Sequence, residues 1–188
     1  KSLRRLKMLV DEQTEFQHIP VAELEFFGKV LVLDGIIQLT ERDNAGYHEM
    51  ITHVPSLAQG NPKRVLIVGG GDGGSLQQVL RYPSVEEVVV CELDRRVIEV
   101  SREYFSFFGS PYEDPRARVV IQDAFAFLKD PTNRFDVIIS DTTDPIGEAE
   151  KLFSPEFYRM MVGALTPNGA IATQCEQMFF DTELIKGI

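Results

Sequence analysis

The stretch Val65–Gly74, VLIVGGGDGG, joins an apolar strand directly to five glycines and one aspartate. Gly69, Gly71 and Gly74 fit the pattern G-x-G-x-x-G, which between a strand and a helix is typical of a nucleotide-binding loop. Glu92 ends the next strand about twenty residues later, where an acidic side chain can accept hydrogen bonds from both ribose hydroxyls. The alternative is a tight turn followed by a surface acid, but strand context and spacing together favour a nucleotide or nucleoside site.

Asp72 distinguishes between the possible ligands of this loop. In a dinucleotide site, the loop amides and the helix N-terminus face a diphosphate. A carboxylate a few ångströms away would then cost on the order of several kcal/mol. A sulfonium ligand is positively charged at that point, and the same carboxylate attracts it. We therefore expect an S-adenosyl ligand with a cationic end rather than NAD or FAD.

Around this loop, short apolar strands alternate with helices. The predicted strands are Val65–Val68, Val88–Cys91, Arg118–Ile121, Phe135–Ser140 and Ala170–Thr173. The predicted helices are Ser75–Arg81, Arg96–Phe105, Ala124–Lys129 and Pro155–Leu165, the last with Ser154 as its N-cap. Nearly continuous apolar strands are typical of a parallel sheet covered by helices on both faces. The pattern predicts an α/β protein with a doubly wound sheet.

The first part of the chain has a different, β-rich pattern. Two strand-like runs flank Asp34-Gly35, a dipeptide typical of hairpin turns. The alternating segment before them contains Pro20, which suggests an edge strand. We expect a small β-rich domain over residues 1–55 and a nucleoside-binding catalytic domain over residues 56–188.

A helix is predicted near the boundary between these two parts. Its apolar residues are Tyr47, Met50, Ile51 and Val54, and it is expected to stop at Pro55. At the other end, the sequence stops partway into a helix predicted to begin near Asp181, and it starts without methionine. We therefore expect C-terminal strands of the domain to be missing from this chain.

The net charge limits the possible partners, and the cysteine content indicates the redox compartment. The formal net charge is −10 and the pI is about 4.8, which argues against nucleic acids and anionic membranes and mildly favours cationic ligands. No apolar run is long enough to span a membrane. Cys91 and Cys175 lie far apart in apolar strand contexts and are expected to be buried free thiols in a reducing cytoplasm. No metal site is expected, because the Cys/His spacing of metal sites is missing.

Further carboxylates follow two of the predicted strands. Asp123, followed by Ala124 and a helix, suits either an adenine amino group or the helix N-cap. Asp141 ends a buried strand, where open α/β sheets bind their ligands, and Asp144 follows in the next turn. Each alone fits an Asx or Asp-Pro turn. Together with Asp72, however, they should bring three carboxylates to one crevice, which suits a polyamine or another cation.

These motifs together resemble the spermidine synthase (polyamine aminopropyltransferase) family. The matching stretches are EFQHI, GKVLVLDGIIQLTERD, YHEMITHVP, GGGDGG, CELD, QDA and SDTTDPIGEAEKLF. The resemblance implies a Rossmann-like sheet of the S-adenosylmethionine-methyltransferase type. It also implies transfer of the aminopropyl group of decarboxylated S-adenosylmethionine to putrescine, giving spermidine and methylthioadenosine. A homodimer or dimer of dimers is expected, with a co-substrate but no permanently bound cofactor.

The resemblance also assigns roles to individual residues. The nucleoside ligand is expected to contact Gln17, Gly69, Gly71, Asp72, Glu92, Asp123 and Ala124, with Asp72 on the aminopropyl amine. Asp141 is the expected base beside the reacting amine, and the acceptor groove is expected to contain Gln38, Tyr47, His48 and Asp144. His48 is equally well read as structural, and Tyr47 as core packing. The chain departs from the family pattern at Ala124, where glycine is frequent, and at Glu148, where proline is usual.

Two other functions fit part of the pattern. An S-adenosylmethionine-dependent polyamine N-methyltransferase would share the fold, but Asp72 would oppose the carboxylate of the ordinary cofactor. A non-catalytic polyamine- or nucleoside-binding protein would not need Asp141 and Asp144. An NAD-dependent oxidoreductase is disfavoured by Asp72. The sequence leaves the acceptor open among putrescine, cadaverine, agmatine and spermidine.

Overall fold

The structure is a computed structural model that describes residues 4–144 and 147–175. The predicted helix near Asp181, the turn at Pro145 and the side chain of Glu148 lie outside the described residues. Within them, the chain forms an antiparallel N-terminal sheet followed by a parallel sheet with helices. The predicted α/β architecture with a small N-terminal β-rich part is confirmed.

The N-terminal sheet has four antiparallel strands in sequence order. They are β1 (Arg5–Gln13), β2 (His18–Leu24), β3 (Gly28–Leu33) and β4 (Ile36–Thr40). The predicted hairpin turn is confirmed: Asp34 and Gly35 have φ angles of 49° and 86°, and Asp-Gly is typical of turns that need positive φ. The edge position predicted for Pro20 is wrong, because β2 lies between β1 and β3. Pairing with β3 begins only at Val21, so the missing N–H of Pro20 falls just outside that ladder.

The second sheet is parallel throughout and has the order β7-β6-β5-β8-β9. Its strands are β5 (Arg64–Gly69), β6 (Glu87–Glu92), β7 (Ala117–Ile121), β8 (Phe135–Asp141) and β9 (Leu165–Thr173). The helices are α1 (Asn44–Gln59), α2 (Gly74–Val79), α3 (Arg95–Tyr104), α4 (Ala124–Leu128) and α5 (Pro155–Gly163). The strand order reverses next to β5, which is where ligands bind in open α/β sheets.

Alternate residues of the central strands face different helix layers. Leu66 of β5 packs with α4 and α5, whereas Val65 and Ile67 pack with α1 and α2. A third cluster joins Val97 and Val100 of α3 to the inner face of the N-terminal sheet. This contact brings the N-terminal sheet against the parallel sheet. Among the described residues, no helix has the length and apolar character needed to cross a membrane.

Helix α1 differs from its prediction in length and in orientation. It continues through Pro55 to Gln59, so the predicted stop is wrong. Its buried residues are His48, Ile51, Thr52, Pro55 and Ser56, whereas Met50 and Val54 are exposed. Packing against α2, β8 and β9 selects the buried face and covers the proline ring, which offsets the backbone hydrogen bond that Pro55 cannot make.

The predicted boundary between residues 55 and 56 falls inside this helix. Because α1 packs on the parallel sheet and on α2, we propose that the boundary lies between Thr40 and Asn44.

Cys91 is buried as predicted, but the burial predicted for Cys175 is wrong. Strand β9 ends at Thr173, and Cys175 follows it outside the sheet.

Candidate active site

A cavity of about 640 Å³ lies at the carboxyl ends of the parallel strands, beneath the N-terminal sheet. Sequence-predicted site residues line it from seven segments: Gln17, Gln38, Tyr47, Gly69, Gly71, Asp72, Glu92, Asp123, Ala124, Asp141 and Asp144. The three carboxylates predicted to share one crevice therefore do so. His48 lies behind the wall, with its residue only 1% exposed.

The glycine loop brings other site residues into close contact with its backbone. A Cβ atom on Gly71 would lie 2.7 Å from Oε2 of Glu92, so a side chain there would displace the carboxylate. A Cβ atom on Gly74 would overlap the ring of His48. These two glycines of the predicted pattern thus allow close packing of the side chains around the cavity.

Asp141, at the end of β8, has a hydrogen-bond donor on each carboxylate oxygen. The hydroxyl of Tyr47 donates to Oδ1 at 2.6 Å, and the hydroxyl of Ser75 donates to Oδ2 at 2.6 Å. Burial raises the pKa of Asp141, and the nearby charge of Asp72 raises it further. His48 and the two hydrogen bonds act in the opposite direction without cancelling the rise. A carboxyl group with a raised pKa is suited to accept a proton from an amine.

Asp72 has partners of its own within the protein. Its Oδ1 accepts a hydrogen bond from the Gly74 amide at 2.7 Å, and its Oδ2 lies 3.2 Å from Nε2 of His48. Burial disfavours a charge on His48, but Asp72 outweighs burial and raises the pKa of the imidazole. Burial likewise opposes the charge on Asp72, and His48 outweighs it and lowers the pKa of the carboxyl group. The geometry therefore favours an ion pair in which His48 neutralises part of the Asp72 charge.

Glu92 and Asp123 line the cavity at the ends of β6 and β7, on the other side of β5 from Asp141. Glu92 is buried, accepts a hydrogen bond from the amide of Asp94 at 3.0 Å, and has its pKa raised to about 7, chiefly by burial. Asp123 is the N-cap of α4 and accepts from the Phe125 amide at 2.7 Å, so the N-cap interpretation is confirmed. Its other oxygen lies 2.6 Å from the ammonium of Lys151. The predicted contact of Asp123 with adenine stays a prediction.

Three residues near the site were missed in the sequence. Ser75 and Lys151 contact predicted residues across 66 and 28 positions of the chain, and no local pattern indicates such contacts. Asp94 carries a local signal, because it precedes α3 as an N-cap and accepts from the Arg96 amide at 2.9 Å. It also accepts from Thr14 and Gln17 at 2.7 and 3.2 Å, which ties the N-terminal sheet to α3.

The end of the cavity that contains Asp72, Asp141 and Asp144 is called the acidic end below. Three residues near it have a spacing that a metal ion could use. One possible ligand atom from each of His48, Asp72 and Asp141 lies within 4.8 Å of the others. In the described part of the chain, His48 contacts Asp72, and Asp141 accepts hydrogen bonds from Tyr47 and Ser75. The metal-free site expected from the sequence stays a prediction.

Comparison with known proteins identifies the family. Residues 6–41 match the model described as "Spermidine synthase tetramerisation domain", and residues 44–188 match "Spermine/spermidine synthase domain". The chain belongs to the spermidine synthase family. The resemblance predicted from the sequence is thereby confirmed.

Relatives within the spermidine synthase family cover the whole chain. Spermidine synthase 1 of Hyoscyamus niger is 45% identical over 188 residues, which are all of this chain and 60% of that protein. The Dictyostelium discoideum spermidine synthase is 45% identical over 187 residues and is covered to 66%. A crystal structure of spermidine synthase in complex with the transition state analogue AdoDATO superposes with a TM-score of 0.94 at 40% identity, over 98% of this chain and 63% of that one. This chain therefore spans less than two thirds of the length of these relatives.

Proposed function

We propose that this protein transfers the aminopropyl group of decarboxylated S-adenosylmethionine to putrescine, giving spermidine and methylthioadenosine. One observation carries the proposal: a single cavity has Glu92 and Asp123 at one end, after β6 and β7, and Asp72, Asp141 and Asp144 at the other, after β5 and β8. Membership of the spermidine synthase family supports it, as does the similar structure that was crystallised with a transition state analogue. The two ends match a neutral nucleoside and a cationic tail in one ligand.

Each end of the cavity has a role in binding. Glu92 would accept hydrogen bonds from the two ribose hydroxyls, and Asp123 would accept one from the adenine amino group. Gln17, held by Asp94, and Ala124 would complete the nucleoside contacts. At the acidic end, Asp72 would bind the ammonium of the aminopropyl tail. Ordinary S-adenosylmethionine would bring a carboxylate close to Asp72 and would bind less well.

Asp141 would act as the base for the acceptor amine. A primary alkylammonium has a pKa near 10, so its nitrogen must lose a proton before it can attack. The proton passes to the Asp141 carboxylate, and the nitrogen then attacks the carbon beside the sulfonium. The new N–C bond forms as the C–S bond breaks, and the electron pair of that bond stays on sulfur as a neutral thioether. A positioned base of this kind contributes about 10² to 10⁴ in rate.

The remaining polar residues of the acidic end would hold the diamine. Asp144 and Gln38 line the same cavity and would contact its distal ammonium. His48 would act indirectly, through its contact with Asp72 at 3.2 Å. We further propose a cytoplasmic homodimer or dimer of dimers without a permanently bound cofactor. The tetramerisation-domain match over residues 6–41 supports the assembly.

Product analysis tests the proposed reaction. The protein is incubated with decarboxylated S-adenosylmethionine and, separately, with putrescine, cadaverine, agmatine or spermidine, and the products are identified by mass spectrometry. We expect one added aminopropyl unit and an equal amount of methylthioadenosine, with putrescine as the preferred acceptor. One added methyl group from ordinary S-adenosylmethionine would instead establish a methyltransferase. Binding of both substrates without any product would establish a binding protein.

A further inference from the structure

Ser75 is a buried hydroxyl in contact with the proposed base. It occupies the second position of α2, directly after the glycine loop, and its relative exposure is 0%. Its Oγ lies 2.6 Å from Oδ2 of Asp141. An ionised carboxylate can only accept hydrogen bonds, so the serine hydroxyl is the donor. The contact joins α2 to the end of β8.

Together with Tyr47, this contact fixes the orientation of the Asp141 carboxylate. Tyr47 donates to Oδ1 from α1, while Ser75 donates to Oδ2 from α2. Each carboxylate oxygen has a second acceptor site, which stays available to a proton or an amine. Tyr47 lines the cavity and is 42% exposed as a residue, whereas Ser75 is wholly enclosed. The serine is therefore the donor that solvent cannot replace.

The charges around Asp141 come from several elements. Asp72 of the glycine loop lies close to it, paired with His48 of α1, and Asp144 follows in the loop after β8. The hydroxyl of Tyr112 is close to the glycine loop, 3.0 Å from the carbonyl oxygen of Gly71. In this acidic setting, a donor to the ionised form of Asp141 opposes its protonation.

The geometry points to Ser75 as a positioning residue that orients the Asp141 carboxylate and extends its proton-accepting range to lower pH. This inference rests on the proposed function, in which Asp141 takes a proton from the acceptor amine. Neither the family resemblance nor the glycine pattern assigns a role to Ser75. Its effect is carried by a hydrogen bond that persists without substrate, so it can be measured with or without turnover.

The test compares the pH dependence of turnover in matched serine variants. In Ser75→Ala the ionised form of Asp141 loses a donor, so its pKa rises and the acidic limb of the kcat profile moves to higher pH by about one unit. Ser75→Thr retains the hydroxyl and restores the wild-type limb. Ser75→Cys keeps the volume with a weaker donor and shifts the limb in the same direction by less. It replaces the alanine variant if that variant does not fold.

The matched control is Ser101→Ala. Ser101 is another buried serine, on α3, and its Oγ has no hydrogen-bond partner within the described part of the chain. The control should leave the acidic limb in place, and the affinity for methylthioadenosine should stay within twofold in every variant. If the acidic limb of the kcat profile of Ser75→Ala coincides with that of the wild type, the inference is overturned, whatever the loss of kcat.

A second readout separates this inference from the proposed function. The Asp141 carboxyl carbon is followed by NMR in ¹³C-aspartate-labelled protein without substrate, with Asp141→Asn used to assign its signal. A titration midpoint that rises by about one unit in Ser75→Ala supports the inference, even if no aminopropyl transfer is found. An unchanged midpoint overturns it, even if the protein proves to be an active aminopropyltransferase.

Discussion

Replacing Asp72 with asparagine removes one negative charge from the cavity wall while preserving the size of the side chain. The amide oxygen can still accept from the Gly74 amide, which in the wild type lies 2.7 Å from Oδ1. The other contact, at 3.2 Å from His48, changes from an ion pair to a neutral hydrogen bond. The substitution therefore alters the charge more than the shape of the loop.

The expected change in affinity follows from these contacts. A hydrogen bond to a charged group contributes about 1.5–3 kcal/mol, and each 1.4 kcal/mol corresponds to about a tenfold change in Kd. His48 already neutralises part of the Asp72 charge, which places the effect at the lower end of this range. Asp72→Asn should therefore weaken decarboxylated S-adenosylmethionine by about tenfold. Ordinary S-adenosylmethionine should change little or bind more tightly, and methylthioadenosine should hardly respond.

Calorimetric titration of the three ligands against both proteins is the assay. Asp123→Asn is the matched control, because the base of all three ligands is identical and their affinities should fall together. If Asp72→Asn also weakens all three ligands equally, Asp72 holds the shape of the loop through Gly74. In that case, the argument that it recognises the ammonium is refuted.

Three further predictions concern the walls of the cavity. Gly74→Ala should lower the free energy of unfolding in urea by about 1–3 kcal/mol, because the new Cβ would overlap the buried ring of His48. The control Gly46→Ala, on α1 with open space around it, should be neutral or stabilising. Methylthioadenosine affinity should rise with pH and level off above pH 7, since the pKa of Glu92 is raised to about 7 and its ionised form is the better acceptor; Glu92→Gln should abolish this dependence. Lys151→Met should raise the affinity for methylthioadenosine by up to about fivefold in low salt, because it releases an oxygen of Asp123. An unchanged or weaker affinity would contradict competition between Lys151 and adenine for Asp123.

The sequence predicted the parts of the molecule that depend on local patterns. Short, nearly continuous apolar runs located the parallel strands, and the carboxyl ends of such strands meet at one edge of a sheet. Asp72, Asp141 and Asp144 could therefore be expected in one cavity, which they line. The hairpin at Asp34-Gly35 was predictable for a similar reason, since few dipeptides accept positive φ twice.

Other features depend on contacts between distant residues. The apolar spacing of α1 indicated the wrong face, because packing on the sheet buries Thr52 and Pro55 and leaves Met50 exposed. His48 lies behind Asp72 rather than in the cavity wall, and no periodic pattern distinguishes these positions. The hydroxyl of Ser75 meets Asp141 across 66 residues of chain. Such contacts arise from tertiary packing, which a local sequence pattern does not contain.

The rate of aminopropyl transfer by Asp141→Asn, at saturating concentrations of both substrates, tests the proposed mechanism most directly. Asparagine can keep hydrogen bonds with Tyr47 and Ser75 but cannot accept the proton of the attacking amine. We predict that kcat falls by about 10² or more while methylthioadenosine binds as in the wild type. A kcat close to that of the wild type would contradict the assignment of Asp141 as the base.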